Sequence, residues 1–290
     1  MLSFQVGVAA TVVVIAVCFV GAHVNFKDSW AMQSRAPGGQ KSGYALEEQK
    51  DDYVIYYGDD SSDAVQKLSE YDTVVIEPKN FSRENVLKLQ KSGSRVLGYL
   101  SIVEQNGDDV DFISLKDGWF FMPEGEQIKN EAWNSYYMDI REKGYQNFLL
   151  RQIYAHVVSK GLDGIMIDTV GDIDDSHWSD GVKSGMKDSY RDFLMRIRKN
   201  YSKLYIIQNW GFKTIYTHSG AMVDGVMWEG LSDGIIESDQ WSRDWLEKLG
   251  DMGLDIYAVV PSGGTFGNHG NKNSNVFIYK RDGDVYDSVN

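Results

Sequence analysis

The chain has 290 residues, of which 42% are hydrophobic and 24% charged, a composition that excludes disorder and a length that allows one large core or two small ones. Its formal net charge of −13 works against a nucleic-acid partner and suits a cationic or neutral one. The single cysteine, Cys18, lies in an apolar N-terminal stretch, so the body has no means to build a disulfide framework, a thiol nucleophile or a thiolate metal site.

Residues 6–22, VGVAATVVVIAVCFVGA, carry no charged side chain, and the first charge in the chain is Lys27. Such a run matches the short end of a membrane span and also the core of a secretory signal. Residues 1–22 are therefore expected to be a signal peptide cleaved after Ala22, or a membrane anchor through residues 4–22. Either reading places the protein outside the cell or at its surface. Residues 23–49 are polar, with a turn at Pro37-Gly38-Gly39, and read as a leader or tether. A catalytic domain is expected over residues 50–290.

That domain opens a series of short β-rich runs. They are YVIYYG (53–58), TVVIEP (73–78), RVLGYLSI (95–102), GIMID (164–168), KLYIIQN (203–209), VDGVMWE (223–229), LDIYAVV (254–260) and NVFIYK (275–280). Most are continuously apolar, the pattern of a parallel strand buried on both faces. Helical spacing appears between several of them, over 82–93, 145–161, 189–200 and 239–253. Eight runs with intervening helices predict a (β/α)₈ TIM barrel, with a doubly wound open sheet as the alternative. The long gap from Val103 to Lys160 holds more than one helix, and SYYMDI (135–140) reads as an extra extended piece. SGGTFGNHG (262–270) lacks the Lys-Ser/Thr ending of a nucleotide loop and is expected to lie over the barrel mouth. The five histidines are scattered without metal-ligand spacing, and His156 reads as a packing or surface residue. No cofactor is indicated.

In a barrel the chemistry sits at the C-terminal ends of the strands. The polar residues there are Glu77, Ser101, Glu104, Asp168, Gln208, Asn209 and Glu229. Hydrolysis of a glycosidic bond needs two carboxyl groups in different environments. Asp168 and Glu229, at the ends of the fourth and sixth runs, are the pair expected to meet across the mouth. A helix cap is the alternative for Asp168, because Thr169, Gly171 and Asp172 follow it. Trp210, Trp228 and Tyr99 offer flat faces for a sugar ring, as do Tyr136 and Tyr137. Asp139 either starts a helix or faces the site.

VVIEP, RVLGYLSIVE, YYMDIRE, GLDGIMIDTVGD and VDGVMWEG, in that order, resemble glycoside hydrolase family 114. That family comprises endo-α-1,4-polygalactosaminidases and the hydrolase domain of the Pel exopolysaccharide system. The resemblance implies a (β/α)₈ barrel that cleaves inside a galactosamine-rich polymer. It puts the catalytic aspartate at Asp168 and the catalytic glutamate at Glu229. Glu77 stands where the family usually has Asp, and Val103-Glu104 where it has Gly-Glu. An acidic groove would attract a deacetylated, cationic polymer, and Asp59, Asp60, Asp108, Asp109, Asp174, Asp175 and Asp180 are loop residues placed to line it. Asp168 is assigned as nucleophile or base and Glu229 as general acid, with the reverse open. The rival readings are a non-catalytic carbohydrate-binding barrel of the cell envelope, a structural envelope protein, and a hydrolase of another amino-sugar polymer.

Overall fold

The computed structural model describes residues 51–175, 178–267, 275–281 and 286–289. The chain divides into units Met1–Glu47 and Glu48–Asn290. The apolar segment 6–22, the tether and residues 268–270 of the glycine-rich loop lie outside the described residues. Among the described residues no helix is long and apolar enough to cross a membrane.

Every one of the eight predicted runs forms a strand. In chain order the elements are β1 (Asp51–Tyr56), α1 (Ser62–Leu68), β2 (Tyr71–Ile76), α2 (Arg83–Lys91), β3 (Arg95–Ser101), β4 (Glu104–Asn106), β5 (Lys129–Asn130), β6 (Ser135–Tyr137) and α3 (Lys143–Gln152). There follow β7 (Gly164–Asp168), α4 (Asp180–Asn200), β8 (Tyr205–Asn209), α5 (Phe212–Thr214), β9 (Gly225–Glu229), α6 (Asp233–Ser238), α7 (Gln240–Asp251), β10 (Asp255–Val260) and β11 (Val276–Lys280). Helix starts follow local chemistry. Ser61, Ser82, Ser179 and Ser232 each accept a backbone N–H of the first turn and cap α1, α2, α4 and α6. Helix α3 runs on into a π-helical turn at Ile153–Val158. The extended piece at 135–140 becomes β6, the centre of a small antiparallel sheet in the order β4-β6-β5.

The main sheet runs β1-β2-β3-β7-β8-β9-β10-β11, with every pairing parallel. Neighbours follow chain order with no reversal, which rules out a doubly wound sheet. The barrel is nearly closed. Among the described residues no ladder joins β11 to β1, but Ile278 N donates to Asp52 Oδ2 at 2.8 Å.

Period-two alternation sorts the strand residues into two layers. Tyr53, Ile55, Val75, Leu97, Met166, Ile207, Met227, Tyr257 and Val259 fill the barrel interior. The intervening residues, among them Ile165, Ile167, Val226 and Trp228, pack outward against the helices. The β7 and β9 segments share one design, Asp-Gly-x-Met-x-acid. The leading Asp163 and Asp224 each accept a backbone N–H of the preceding strand, from Val96 at 2.8 Å and Ile206 at 2.9 Å. Asp52 does the same for β11. The glycine is forced at Gly164, where a Cβ would stand 2.0 Å from the Tyr205 carbonyl oxygen. Counting up from these glycines, the methionine and then the acid face inward.

Candidate active site

The same alternation delivers the site. Two residues above the inward Met166, Ile207 and Met227 come Asp168, Asn209 and Glu229. Above Val75, Leu97 and Ile55 come Glu77, Tyr99 and Tyr57. All six line one cavity of about 1040 Å³ at the C-terminal end of the barrel.

Asn209 joins the two expected carboxylates. Its Nδ2 donates to Asp168 Oδ1 at 2.8 Å and to Glu229 Oε1 at 2.8 Å. The two N–H bonds of an amide diverge by about 120°, so acceptor oxygens bridged in ideal geometry stand about 5 Å apart. Asp168 Oδ1 also accepts Thr169 N at 2.7 Å, and the Tyr99 hydroxyl hydrogen-bonds to the same carboxylate. Burial pushes the Asp168 carboxyl above the ordinary aspartate range, the Asn209 and Thr169 donors pull against that, and nearby Glu229 adds to the rise. Glu229 is more open, with its side chain one-third exposed. Tyr286 Oη donates to Glu229 Oε2 at 3.1 Å, and Arg281 Nη1 lies 3.9 Å from that oxygen.

Backbone strain marks the same place. Thr169 and Trp210, which directly follow Asp168 and Asn209, have φ of 63° and 52°, conformations that non-glycine residues rarely hold without support. Here the support is visible. Thr169 Oγ1 accepts Val103 N at 2.8 Å and Ile102 N at 3.2 Å, pinning the turn after β3. The Gln208 side chain donates to the Trp210 and Gly211 carbonyls. Thr169, not Asp168, holds the N-cap position of the 3₁₀ turn Val170–Asp174, and it makes no side-chain cap bond there.

The other expected residues divide. Glu77 lines the cavity, accepts Lys79 N at 3.1 Å and is raised by burial. Glu104 is buried against Ser135 and Asn130 and faces Asp172. Asp172 is pushed up to about 8 by burial first and Glu104 second. Its Oδ2 is buried without a hydrogen-bond partner among the described residues. Trp210 lines the cavity and stacks on Phe212.

Trp228 does not belong to the site. It sits one residue before Glu229, so its ring points to the outer layer, where it packs on Phe212 at 4.5 Å. Gln208 faces outward for the same reason. Asp139 is buried in an ion pair with Arg141 at 2.6 Å, away from the cavity lining. Tyr136 and Tyr137 pack against Phe112 and Trp178. Of the acidic loop residues, Asp109, Asp174 and Asp175 reach the cavity. Asp109 and Asp174 are each paired there, with Lys79 and Lys187. His156 is half-buried at the cavity wall, and burial lowers its pKa. Among the described residues no group of three His, Cys, Asp or Glu is placed to hold a metal ion.

Sequence reasoning misses Tyr57, Asp172, Arg281 and Tyr286. Tyr57 and Arg281 could be found by counting two residues along the inward face from Ile55 and Tyr279. Tyr286 has no local signal. The cavity wall also carries Trp133 and Trp241, both exposed.

A barrel with two carboxyl groups bridged at its mouth is the architecture of a glycoside hydrolase. The model of glycoside-hydrolase family GH114 matches residues 33–242, and the chain belongs to that family. Among solved structures, the glycoside hydrolase domain of PelA from Pseudomonas aeruginosa aligns with a TM-score of 0.61 at 22% identity, over 72% of this chain and 83% of that one. Aspergillus fumigatus Ega3, solved in complex with galactosamine, aligns with a TM-score of 0.57 at 12% identity, over 82% and 95%. A Paenibacillus cycloisomaltooligosaccharide glucanotransferase gives 0.53 at 15%, over 73% and 38%. At these identities the likeness is one of fold. No curated protein gives a significant match.

Proposed function

We propose that the protein is an endo-acting hydrolase of α-1,4-linked, galactosamine-rich polysaccharide, working by double displacement with retention. The observation that carries the mechanism is the shared Asn209 donor. Carboxyl groups about 5 Å apart suit a retaining pair, whereas inversion needs about 6.5–9.5 Å to admit a water.

Asp168 is the nucleophile. Every polar neighbour named for it other than Glu229 is a donor, a shell that suits an ionised carboxylate. Oδ1 already accepts two hydrogen bonds, so Oδ2 attacks the anomeric carbon. Glu229 protonates the departing glycosidic oxygen as the C–O bond breaks, leaving a glycosyl ester on Asp168. Glu229, now ionised, takes a proton from water. That water attacks the same carbon, the ester bond breaks, and Asp168 is released as carboxylate with Glu229 reprotonated. The openness of Glu229 to solvent suits this exchange.

The substrate class rests on family membership and charge. A net charge of −13 and a cavity edged by Glu104 and Asp175 favour a polymer bearing ammonium groups. Exposed Trp133 and Trp241 on its wall support binding along a chain, hence internal cutting. The test is incubation with deacetylated and acetylated galactosamine oligomers and size analysis of the products. Internal cutting of the deacetylated oligomer is expected, and no cleavage of either would refute the reading. We also propose export through residues 1–22, and an unchanged cellular location after deletion of residues 1–26 would refute it.

A further inference from the structure

Two residues that face Glu229 come from the end of the chain, beyond the family-matched residues 33–242. Arg281 follows β11, and Tyr286 belongs to the segment 286–289. This segment meets the barrel between β11 and β1, where no ladder forms among the described residues. Tyr57 N, just past β1, donates to the Tyr286 carbonyl. The Tyr286 ring packs on Tyr57 at 5.4 Å and lies under the Arg281 guanidinium at 4.9 Å. Lys67 Nζ donates to the Val289 carbonyl at 3.2 Å. The tyrosine is thus held from several sides, with its hydroxyl aimed into the cavity at Glu229 Oε2.

The two oxygens of Glu229 are not equivalent. Oε1 accepts Asn209 Nδ2, which can only donate, so a proton on Glu229 belongs on Oε2. A phenol suits both states of that oxygen, since it donates to a carboxylate and accepts from a carboxylic acid. Tyr286 itself stays protonated, because burial and Glu229 push its ionisation well above the ordinary range. Arg281 brings a positive charge to within 3.9 Å of the same oxygen. Among the described residues the other titratable groups facing Glu229 are Asp168 from β7 and Tyr53 and Tyr57 from β1, and they bring no positive charge.

We infer that the C-terminal segment completes the active site, with Tyr286 and Arg281 as positioning residues that fix the orientation of Glu229 at Oε2. This rests on the reading of Glu229 as the acid/base, and the test separates the two. In the full chain labelled with carboxyl-¹³C glutamate, the Glu229 resonance is assigned by its loss in Glu229→Gln and compared among variants at one fixed pH. It should move in Tyr286→Phe and in Arg281→Met, and return toward the parental position in Arg281→Lys. In both displaced variants kcat should fall more than KM rises. An unchanged resonance and kcat in both variants, with only a lower Tm, would reduce the segment to a structural plug and overturn the inference. A resonance that moves while kcat stays at the parental value would support the inference and refute the acid/base role of Glu229.

Discussion

Asp168 and Glu229 share one hydrogen-bond donor. The Asn209 amide nitrogen lies 2.8 Å from an oxygen of each. Two carboxyl groups from strands 61 positions apart are thereby held at one spacing before any substrate arrives. A shared donor also offsets part of their mutual repulsion, which is larger in a low-dielectric cavity than in water.

Removing either carboxyl should abolish turnover while leaving the barrel folded. Asp168→Asn and Glu229→Gln are each expected to lower kcat by a factor on the order of 10³ or more, about 4 kcal/mol of transition-state stabilisation. Circular dichroism should match the parent. Full activity in either purified variant would refute the pairing.

Asn209→Ala should be nearly as damaging although it removes no reacting group. Loss of the bridge lets the carboxylates drift, and a misplacement near 1 Å costs about 10²-fold. Asp168 also loses a donor that favours its charged form, so the acid limb of the pH–rate profile should move upward. A variant with the parental kcat and profile would show that the bridge is incidental.

The site should work against stability as pH rises. Asp168 and Asp172 both hold their protons more tightly folded than unfolded. Native protein then binds more protons than unfolded chain between the ordinary carboxyl range and the raised value, so stability declines as pH climbs through that window. For Asp172 the window reaches about 8. Asp172→Asn should therefore raise Tm at pH 8 and have little effect near pH 4. The same Tm difference at both values would contradict the assignment.

Two neighbouring tryptophans should separate binding from packing. Trp210→Ala, on the cavity wall, should raise KM about tenfold, in line with the loss of one aromatic contact. Trp228→Ala, in the outer core, should lower stability by about 3–5 kcal/mol. Urea unfolding of both, with kinetics alongside, checks the contrast.

The strands were legible because parallel strands buried on both faces are written as unbroken apolar runs. Their ends named Asp168, Asn209 and Glu229 because the mouth of a barrel is where strand ends meet. Face was harder to read. In a continuous run nothing local distinguishes inward from outward, so Trp228 seemed to neighbour the sugar when it points to the helices, and Gln208 was misplaced in the same way. The Asp-Gly-x-Met-x-acid repeat resolves this, since Asp163 and Asp224 tie each segment to the preceding strand and the count from the glycine sets the parity. Asp139 was lost to its ion pair with Arg141, a contact between residues two apart that competes with any role at the mouth. Tyr286 was illegible because what brings it to Glu229 is closure of the barrel seam, a contact with β1 at the far end of the domain.

The most direct test of the central claim follows the anomeric configuration of the first product. With a defined α-linked galactosamine oligomer, proton NMR in the first minutes should show the new reducing end as the α-anomer, ahead of mutarotation. If the β-anomer appears first, Asp168 and Glu229 do not act as a retaining pair, and the bridge through Asn209 serves some other purpose.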